Sequence, residues 1–460
     1  MTHDVLIIGG GSAGYAAART AHDEGANVGI IDPGPLGGLC ILRGCMPSKT
    51  IIRSSDVMSL IRRAEEFGLS SVSAKANLSA IIDRKARLVK EFADDRIRAL
   101  QDPRFTLYQE KARFLSSTEV QAGPHTLTSQ AIIISTGSVI SHLPLPGLDE
   151  VGYITSDEAL ELREPPKSML ILGGGPVAVE FAQFFLRIGI QVTLIQRSAH
   201  ILSQEDEDLA RPVEHRFREE GMAVYTNTQL IRFSKDGNLK TVHFIHEGQE
   251  KTVTVEMIFQ ALGRRPNIEG LNLEAAKVEV QNRGIVVDDT MRTSQSHIFS
   301  VGDVNGRHEI VHIAVQEGEI AGWNAVHPHQ PPRRHDHRLD TLVVFTDPQL
   351  AFLGLNEKAC RRQGIAYLVA SYPFNDHGKS MVLGETHGHV KLLCHPSSGV
   401  ILGGHIVGPE AGELIHELIA IMYYRGTVFD LLAMPHYHPT LAEILTYPAE
   451  ELAAQVKKRA

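Results

Sequence analysis

The sequence predicts an α/β fold with two Rossmann-like dinucleotide-binding domains and a C-terminal α+β domain. Two glycine-rich turns support this prediction, because each lies between an apolar strand and a helix and is followed by a second apolar strand. The length agrees, since 460 residues with 43% hydrophobic content suffice for about three domains with buried cores. We place the boundaries at 1–149, 150–270, 271–340 and 341–460, and we expect 271–340 to complete the first domain.

The first glycine-rich turn follows a predicted strand at 5–8 and precedes a predicted helix at 15–24. A second strand at 28–31 then ends in Asp32. The glycines at the motif positions are Gly9, Gly11 and Gly14. Such glycines let the backbone approach a pyrophosphate at a helix N-terminus, and the acid accepts hydrogen bonds from ribose hydroxyls. The unit therefore has the complete pattern of a dinucleotide site.

The second turn repeats this pattern between strands at 169–172 and 192–195. Its motif residues are Gly173, Gly175 and Ala178. At the position equivalent to Asp32 it has Gln196, followed by Arg197 and Ser198. A guanidinium with a hydroxyl suits a 2′-phosphate, which a carboxylate would repel, so this site is expected to favour NADP(H). The alternative is a solvated arginine beside a site that binds NAD(H) through other contacts.

Two cysteines, Cys40 and Cys45, follow the first dinucleotide unit directly. Five residues of regular helix rise about 7.5 Å, so the pair cannot form a disulfide within an undistorted helix. We expect a bend at Gly44, which permits an unusual φ/ψ, and a helix that starts near Cys45 with Pro47 in its first turn. The helix N-terminus would favour a Cys45 thiolate. A structural disulfide or two unrelated buried cysteines are the alternatives.

A thiol pair beside two nucleotide sites indicates an electron relay. One nucleotide delivers a hydride, a bound flavin accepts two electrons, and the disulfide receives them. The first unit then binds FAD, and this large cofactor explains the long excursion from about residue 50 to residue 130. The chain returns with a strand at 132–134 and a turn that contains Thr136 and Gly137.

Seven segments together resemble the class I pyridine nucleotide–disulfide oxidoreductases, and within them most closely the dihydrolipoamide dehydrogenase branch. The matching segments are Gly9 to Gly14, Cys40 to Lys49, Ser135 to Ser138, Gly173 to Glu180, Ala261 to Asn267, Ser300 to Val304 and His436 to Glu443. The resemblance implies that 1–149 and 271–340 bind FAD, that 150–270 binds NAD(P), and that 341–460 is a dimerisation domain.

The resemblance also assigns roles to single residues. Cys45 would face the flavin and form a charge-transfer complex with it, and Cys40 would exchange with the substrate. Lys49 and Glu180 would pair near the reactive edge of the flavin; a solvated lysine and a helix-surface acid are the alternatives. The remaining implied cofactor contacts are Asp303 on the ribityl chain and the motif residues Thr136, Gly137, Gly263 and Gly302.

His438 matches the general acid/base of the family, which reaches the thiols from the other subunit of a homodimer. Independently, Pro439 favours an extended conformation at His438, and Glu443 lies where a carboxylate could orient the imidazole. In the alternative, Thr440 to Glu443 is a capping box in which Glu443 bonds to its own helix N-terminus.

Composition excludes several classes of function. A net charge of −9 gives no attraction to nucleic acid or anionic membranes, and no segment has eighteen uninterrupted apolar residues. Without a basic n-region at the start, the cytoplasm is the expected location. The His327 to His337 tract is rich in proline, so we interpret it as a linker and expect no metal.

The predicted function is therefore transfer of two electrons between NAD(P)H and a small disulfide or dithiol. Dihydrolipoamide is the first candidate substrate. The resemblance leaves a glutathione-reductase-like or mercuric-reductase-like NADPH enzyme open, because Gln196 replaces the glutamate expected in dihydrolipoamide dehydrogenase. The extra C-terminal cysteine pair of the mercuric reductases is missing here, which disfavours metal-ion reduction by that route. A flavin-binding complex subunit with structural thiols is the non-enzymatic alternative.

Overall fold

The computed structural model describes residues 2–70 and 73–458. The chain divides into two compact units. Unit 1 contains the residues through Thr50, Asp83–His142 and Gly263–His335. Unit 2 contains Ile51–Ile82, Leu143–Leu262 and the residues from Asp336 onward.

The described residues form 23 β-strands. They are β1 (His3–Ile8), β2 (Val28–Ile31), β3 (Phe105–Tyr108), β4 (Ala112–Phe114), β5 (Glu119–Ala122), β6 (His125–Ile134), β7 (Ser138–Ile140), β8 (Ser168–Leu172), β9 (Gln191–Ile195), β10 (Ala223–Tyr225), β11 (Thr228–Asp236), β12 (Leu239–His246), β13 (Gln249–Val255), β14 (Met257–Gln260), β15 (Arg264–Pro266), β16 (Val280–Gln281), β17 (Gly284–Ile285), β18 (Ile298–Ser300), β19 (Thr341–Val344), β20 (Gln349–Gly354), β21 (Leu368–Pro373), β22 (His389–Cys394) and β23 (Ile401–Gly408).

The α-helices are α1 (Ser12–Asp23), α2 (Leu39–Leu42), α3 (Cys45–Arg62), α4 (Leu78–Leu100), α5 (Leu148–Val151), α6 (Ser156–Ala159), α7 (Pro176–Arg187), α8 (Glu207–Glu219), α9 (Val311–Val326), α10 (Glu357–Gln363), α11 (Gly378–Leu383), α12 (Ala411–Tyr423), α13 (Val428–Ala433) and α14 (Thr446–Lys457). Short 3₁₀ turns lie at Ala64–Phe67, Gly302–Asn305, His337–Leu339, Phe374–Asp376 and Ala442–Leu445.

Unit 1 is built on a parallel sheet in the order β3-β2-β1-β6-β18. This is the order of a Rossmann half, in which the glycine turn after β1 lies at the carboxyl edge of the sheet. Helices α1 and α9 pack closely at Gly318. A Cβ atom on this residue would lie 2.3 Å from the Ala13 carbonyl oxygen, so the position has room only for glycine. The core of this layer is apolar and includes Ile7, Ile30 and Ile133.

Unit 2 contains a second parallel sheet in the order β10-β9-β8-β14 and a three-stranded antiparallel sheet, β11-β12-β13. It also contains a five-stranded antiparallel sheet in the order β19-β20-β23-β22-β21. Helices α12 and α14 pack on this last sheet through Leu418, Ile421 and Leu452, which gives the C-terminal part an α+β core. The α/β class with two Rossmann-like sheets is therefore confirmed.

The first helix differs from its prediction by a few residues. It was predicted at 15–24 and is found at Ser12–Asp23, because Gly11 is the N-cap and the last motif glycine, Gly14, already lies in the helix. Within the described residues, no helix is both long and apolar enough to cross a bilayer.

Candidate active site

The glycine turn after β1 is shaped by close backbone contacts. Gly9 has φ +105°, and a Cβ atom there would lie 2.4 Å from the Ser135 carbonyl oxygen. A Cβ atom on Gly14 would lie 1.9 Å from the Gly9 carbonyl oxygen. Gly11 differs from these two glycines. The atom nearest to a Cβ added at Gly11 would be 3.9 Å away, so the side of the α1 N-terminus at Gly11 is open. The turn thus leaves room for a phosphate where the helix presents free N–H groups.

Asp32 lies directly after β2, as predicted, and also braces this turn. Its Oδ2 atom accepts a hydrogen bond from the Gly10 N–H at 2.6 Å, and its Oδ1 atom accepts from the Gly34 N–H at 2.8 Å. Two carboxylate oxygens offer about four acceptor sites, so capacity for ribose hydroxyls remains.

A second group of predicted cofactor residues meets near β6, β7 and β15. The Thr136 hydroxyl donates to the Asn267 carbonyl at 2.6 Å, and Gly137 and Gly263 both have positive φ. The Ser138 hydroxyl donates to Asp303 Oδ2 at 2.6 Å. Burial raises the pKa of Asp303, and the Ser138 hydrogen bond and a nearby arginine oppose the shift. The structure therefore brings these residues together within unit 1.

Gly302 precedes Asp303 with φ +73° and donates its N–H to Glu317 Oε2 at 2.6 Å. Glu317 is buried and also accepts from Asn305 at 2.9 Å. Sequence reasoning did not identify Glu317, because an acid within an apolar helix carries no motif.

The cysteine pair lies where the backbone breaks between two helices. Cys40 is in α2, and Cys45 is the first residue of α3, as expected for a thiol at a helix N-terminus. Gly44, expected to permit an unusual φ/ψ, does not have a positive φ. A Cβ atom there would lie 3.0 Å from the Leu39 carbonyl oxygen and 3.1 Å from the Cys40 Cα atom, so a larger residue would have to displace the α2 backbone by a few tenths of an ångström.

The two thiols contact each other. A hydrogen bond to Cys45 and burial raise the pKa of Cys40, whereas the positive charge of Arg96 opposes this shift. The Arg96 guanidinium lies 4.4 Å from the centroid of the Tyr15 ring, and its Nη1 atom is buried with no hydrogen-bond partner among the described residues. Sequence reasoning missed Arg96, which looks like one of many charged residues on α4.

The second glycine turn has the same geometry in unit 2. Gly173 has φ +117°, and a Cβ atom there would lie 2.4 Å from the Ala261 carbonyl oxygen. Gly175 is the N-cap of α7 with open space around it, and Ala178 is fully buried. Ligand space is therefore kept at this helix N-terminus as well.

The residues expected to choose the nucleotide follow β9. The Gln196 side chain packs beside Gly174, where a Cβ atom would lie 2.9 Å from Gln196 Cγ. Gln196 Oε1 also accepts from the Arg197 N–H at 3.0 Å. The Arg197 side chain is exposed.

Lys49 and Glu180 occupy helices in different units. Lys49 is one turn after Cys45 on α3. Glu180 is 4% exposed, so it is not a surface acid, and its Oε1 atom accepts from the Phe345 N–H at 2.9 Å. Their pairing stays a prediction.

His438 and Glu443 are brought together in unit 2. His438 Nδ1 lies 3.0 Å from Glu443 Oε2, and the imidazole side chain is 80% exposed. Glu443 is buried in a 3₁₀ turn whose N-cap is Leu441 with no side-chain cap, so the capping-box alternative is wrong. A second histidine that sequence reasoning missed, His377, lies on the other side of Glu443, with Nε2 3.3 Å from Oε1.

The histidine tract has local contacts of its own. His327 stacks on Trp323 with ring centroids 4.4 Å apart and bonds to its carbonyl oxygen at 3.0 Å. Elsewhere in unit 2, His215, Glu219 and His387 have possible metal-ligand atoms within 4.8 Å of one another. His215 Nδ1 and His387 Nε2 lie 3.3 and 3.5 Å from the Glu219 carboxylate.

Comparisons with known proteins agree with this geometry. A family model described as pyridine nucleotide-disulphide oxidoreductase matches residues 3–318, and the dimerisation domain of the same family matches residues 341–449. A mercuric reductase of Staphylococcus aureus is 30% identical over 99% of this chain and 83% of its own length. A dihydrolipoyl dehydrogenase of Bacillus subtilis is 32% identical over 96% of both chains.

Two solved structures are also similar over nearly their whole length. LpdA from Mycobacterium tuberculosis has a TM-score of 0.87 at 26% identity and covers 98% of this chain and 99% of its own. The HOCl-induced flavoprotein disulfide reductase RclA from Escherichia coli has a TM-score of 0.84 at 26% identity, with coverage of 97% and 99%.

Proposed function

The chain belongs to the pyridine nucleotide-disulphide oxidoreductase family, and from that premise we propose that it passes two electrons from NAD(P)H to a small disulfide through Cys40 and Cys45. One observation carries the proposal. A Cβ atom on Gly38, two residues before Cys40, would lie 2.7 Å from the Gly11 Cα atom. The segment that bears the thiols is therefore held against the glycine turn of the first dinucleotide site.

The family is FAD-dependent and uses a pyridine nucleotide. The residues present fit FAD, because the open face at Gly11 suits a pyrophosphate and Asp32 and Asp303 offer acceptors for hydroxyl groups. When bound, the flavin would accept a hydride from the reduced nicotinamide and supply two electrons to the cysteine pair. Lys49 and Glu180 would pair beside it.

The cysteines carry out the exchange with the substrate. Two electrons and a proton open the Cys40–Cys45 disulfide to one thiol and one thiolate. Of the two, Cys45 is the thiolate and Cys40 the thiol. Cys40 gives its proton to a base, attacks the substrate disulfide and forms a mixed disulfide, and the first substrate thiol leaves with the proton that the base returns. Cys45 then attacks Cys40 and releases the second thiol. The balance is one NAD(P)H, one proton and one disulfide giving NAD(P)⁺ and two thiols.

His438 would move the protons in this exchange. Glu443 holds Nδ1, so the exposed Nε2 atom is available to accept a proton from the attacking thiol and return it to the departing one. In the proposed homodimer, this histidine serves the cysteines of the partner subunit. The dimerisation domain at 341–449 supports that arrangement.

We further propose NADPH as the preferred nucleotide, a small disulfide/dithiol couple such as lipoamide and dihydrolipoamide as the substrate class, and the cytoplasm as the location. Gln196 and Arg197 support the first choice, because neither repels a 2′-phosphate. Dihydrolipoyl dehydrogenase relatives support the second. A mercuric-reductase-like NADPH enzyme is the second candidate, favoured by the same two residues and by the 30% identity to the S. aureus protein.

Steady-state assays with a panel of substrates test the proposal. NADH and NADPH are each combined with lipoamide, oxidised glutathione and mercuric ion, for the wild type and Cys45→Ser. We expect turnover of lipoamide that the substitution abolishes. Turnover of mercuric ion alone would favour the second candidate. A protein that binds FAD but reduces none of the three would instead be a flavin-binding subunit with structural thiols.

A further inference from the structure

Glu443 lies between two histidines of unit 2. On one side, Oε2 and Oε1 are 3.0 and 3.2 Å from His438 Nδ1. On the other side, Oε1 is 3.3 Å from His377 Nε2. The two histidines differ in surroundings, since the His438 side chain is 80% exposed and His377 is fully buried. The Glu443 carboxylate thus contacts both the exposed imidazole of His438 and the buried imidazole of His377.

His377 is fixed by its own neighbours. Its Nδ1 atom lies 2.8 Å from the hydroxyl of Ser380, which is also fully buried. The rings of Phe374 and Tyr447 lie edge-on to the imidazole at 6.5 and 6.2 Å. Because the ionised Glu443 carboxylate can only accept, the proton of the neutral ring is assigned to Nε2, and the Ser380 hydroxyl then donates to Nδ1.

Burial lowers the pKa of His377, and the charge of Glu443 only partly opposes this effect. Glu443 and His438 are the ionisable groups that act on it, together with the nearby phenol Tyr447. The ring is therefore neutral near pH 7. A neutral N–H holds a carboxylate without cancelling its charge, whereas a lysine or arginine at the same place would neutralise it.

We propose that His377 is a positioning residue for thiol–disulfide exchange, which holds the Glu443 carboxylate so that its orientation and full negative charge serve His438. Among the described residues, His377 Nε2 is buried and makes no hydrogen bond of regular geometry, and the Glu443 carboxylate lies 3.3 Å from it. The inference rests on the proposed function of His438. Ser380 holds His377, His377 holds Glu443, and Glu443 orients His438.

Two substitutions separate positioning from packing. His377→Gln keeps an N–H donor at about the reach of Nε2, and His377→Asn keeps only a polar group near Nδ1. His405→Asn is the matched control, because His405 is a buried histidine of the same unit that bonds to the Leu355 carbonyl oxygen instead. Stopped-flow measurements follow flavin reduction by NADPH and, separately, reoxidation of the reduced enzyme by lipoamide.

We expect His377→Asn to slow reoxidation by roughly 10-fold or more, as for other residues that orient a reacting group. Flavin reduction by NADPH should stay unchanged. His377→Gln should recover most of the lost rate, and His405→Asn should leave both half-reactions at the wild-type rate. If Asn and Gln at 377 behave alike, the inference is wrong.

A second readout needs no turnover. Diethyl pyrocarbonate acylates unprotonated imidazoles, and peptide mapping by mass spectrometry gives the pH midpoint of modification at His438 alone. A less well-held carboxylate stabilises the imidazolium less, so His377→Asn should move this midpoint to lower pH and His377→Gln should restore it. An unmoved midpoint overturns the inference even if lipoamide turns over. A moved midpoint in a wild type that turns over none of the three test substrates overturns the proposed function and leaves the positioning role standing.

Discussion

At the scale of single residues, reactivity depends on where a side chain meets a helix end. Cys45 is the first residue of α3, where the partial positive charge of the helix favours a thiolate. Cys40, only five positions earlier, is in a separate helix of one turn, and Arg96 is its nearby positive charge. Neighbouring thiols in one motif therefore have different electrostatic surroundings, which suits the division of roles proposed for them.

Cys45→Ser should abolish both turnover and the long-wavelength absorbance band that two-electron reduction produces. The band requires a thiolate beside the flavin, and serine has none. Absorbance spectra of the FAD-loaded protein during anaerobic titration with NADPH measure it. Cys394→Ser is the control, because Cys394 is a buried thiol whose pKa burial raises to about 11, and it should leave the band intact. A band that survives in Cys45→Ser would contradict the assignment.

Arg197→Ala should lower kcat/KM for NADPH by roughly tenfold or more and spare NADH. Loss of a charge-assisted contact to the 2′-phosphate costs about 1.5–3 kcal/mol. Steady-state kinetics with both nucleotides check this. Arg232→Ala removes another exposed arginine of the same unit and should change neither value. If the ratio of the two values is the same in Arg197→Ala as in the wild type, the arginine does not select the nucleotide.

At the scale of secondary structure, β23 shows how close packing and buried polar groups are combined. A Cβ atom on Gly403 would lie 2.0 Å from the carbonyl oxygen of Leu355, the residue that follows β20. Only glycine at 403 allows β23 to come this close to the segment after β20. Two residues later, His405 Nε2 donates to the same oxygen at 3.1 Å. The carbonyl is thereby satisfied, but His405 Nδ1 is left buried with no hydrogen-bond partner among the described residues. The His405 hydrogen bond thus fixes the segment at Leu355 against β23, and the buried His405 imidazole is neutral near pH 7 because burial lowers its pKa.

His405 should make stability fall in acid. Burial lowers its pKa from 6.5 to about 4, so between these values the unfolded chain binds more protons than the folded one. Stability is therefore complete above pH 6.5 and is lost as the pH falls toward 4, by about 3 kcal/mol from this group. His405→Gln keeps an N–H donor but has no group that titrates. The free energy of unfolding of this variant should therefore depend less on pH between about 4 and 6.5. Urea unfolding at pH 7 and pH 5 measures the difference, and the exposed residue variant His416→Gln should leave it as in the wild type.

At the scale of the whole molecule, the chemistry is distributed over distant parts of the chain. The cysteines lie at 40 and 45 in unit 1, and His438 lies in unit 2 within the segment matched by the dimerisation domain. In the proposed homodimer, each active site takes its thiols from one chain and its acid/base from the other. Assembly would then be a condition of catalysis and not only of stability.

Mixing two inactive variants tests this arrangement. His438→Ala should leave flavin reduction near its normal rate and slow exchange by about 10²–10⁴. When His438→Ala and Cys45→Ser dimers exchange subunits, the mixed dimer contains one complete site, and activity should return toward a quarter of the wild-type value for random pairing. Steady-state assays before and after exchange measure the recovery. Were each chain to use its own histidine, every site would stay defective and no activity would appear.

The sequence by itself determined the two Rossmann-like sheets, the glycine turns and the start of α3 at Cys45. These features depend on local rules: apolar strands next to glycines, and a proline in the first helical turn. The neighbourhood of His438 and Glu443 was also predictable, because the two are five positions apart.

Tertiary structure alone decided the rest. At Gly44 the α2 backbone comes within 3.0 Å of the place where a Cβ atom would lie, and that approach depends on how two helices meet. His377 and Glu443 are 66 positions apart, and no spacing rule connects a residue before α11 with one in a 3₁₀ turn. Arg96 and Cys40 are likewise brought near each other by packing of distant segments. Contacts of this kind arise from the burial of side chains on several elements at once, which a local pattern does not encode.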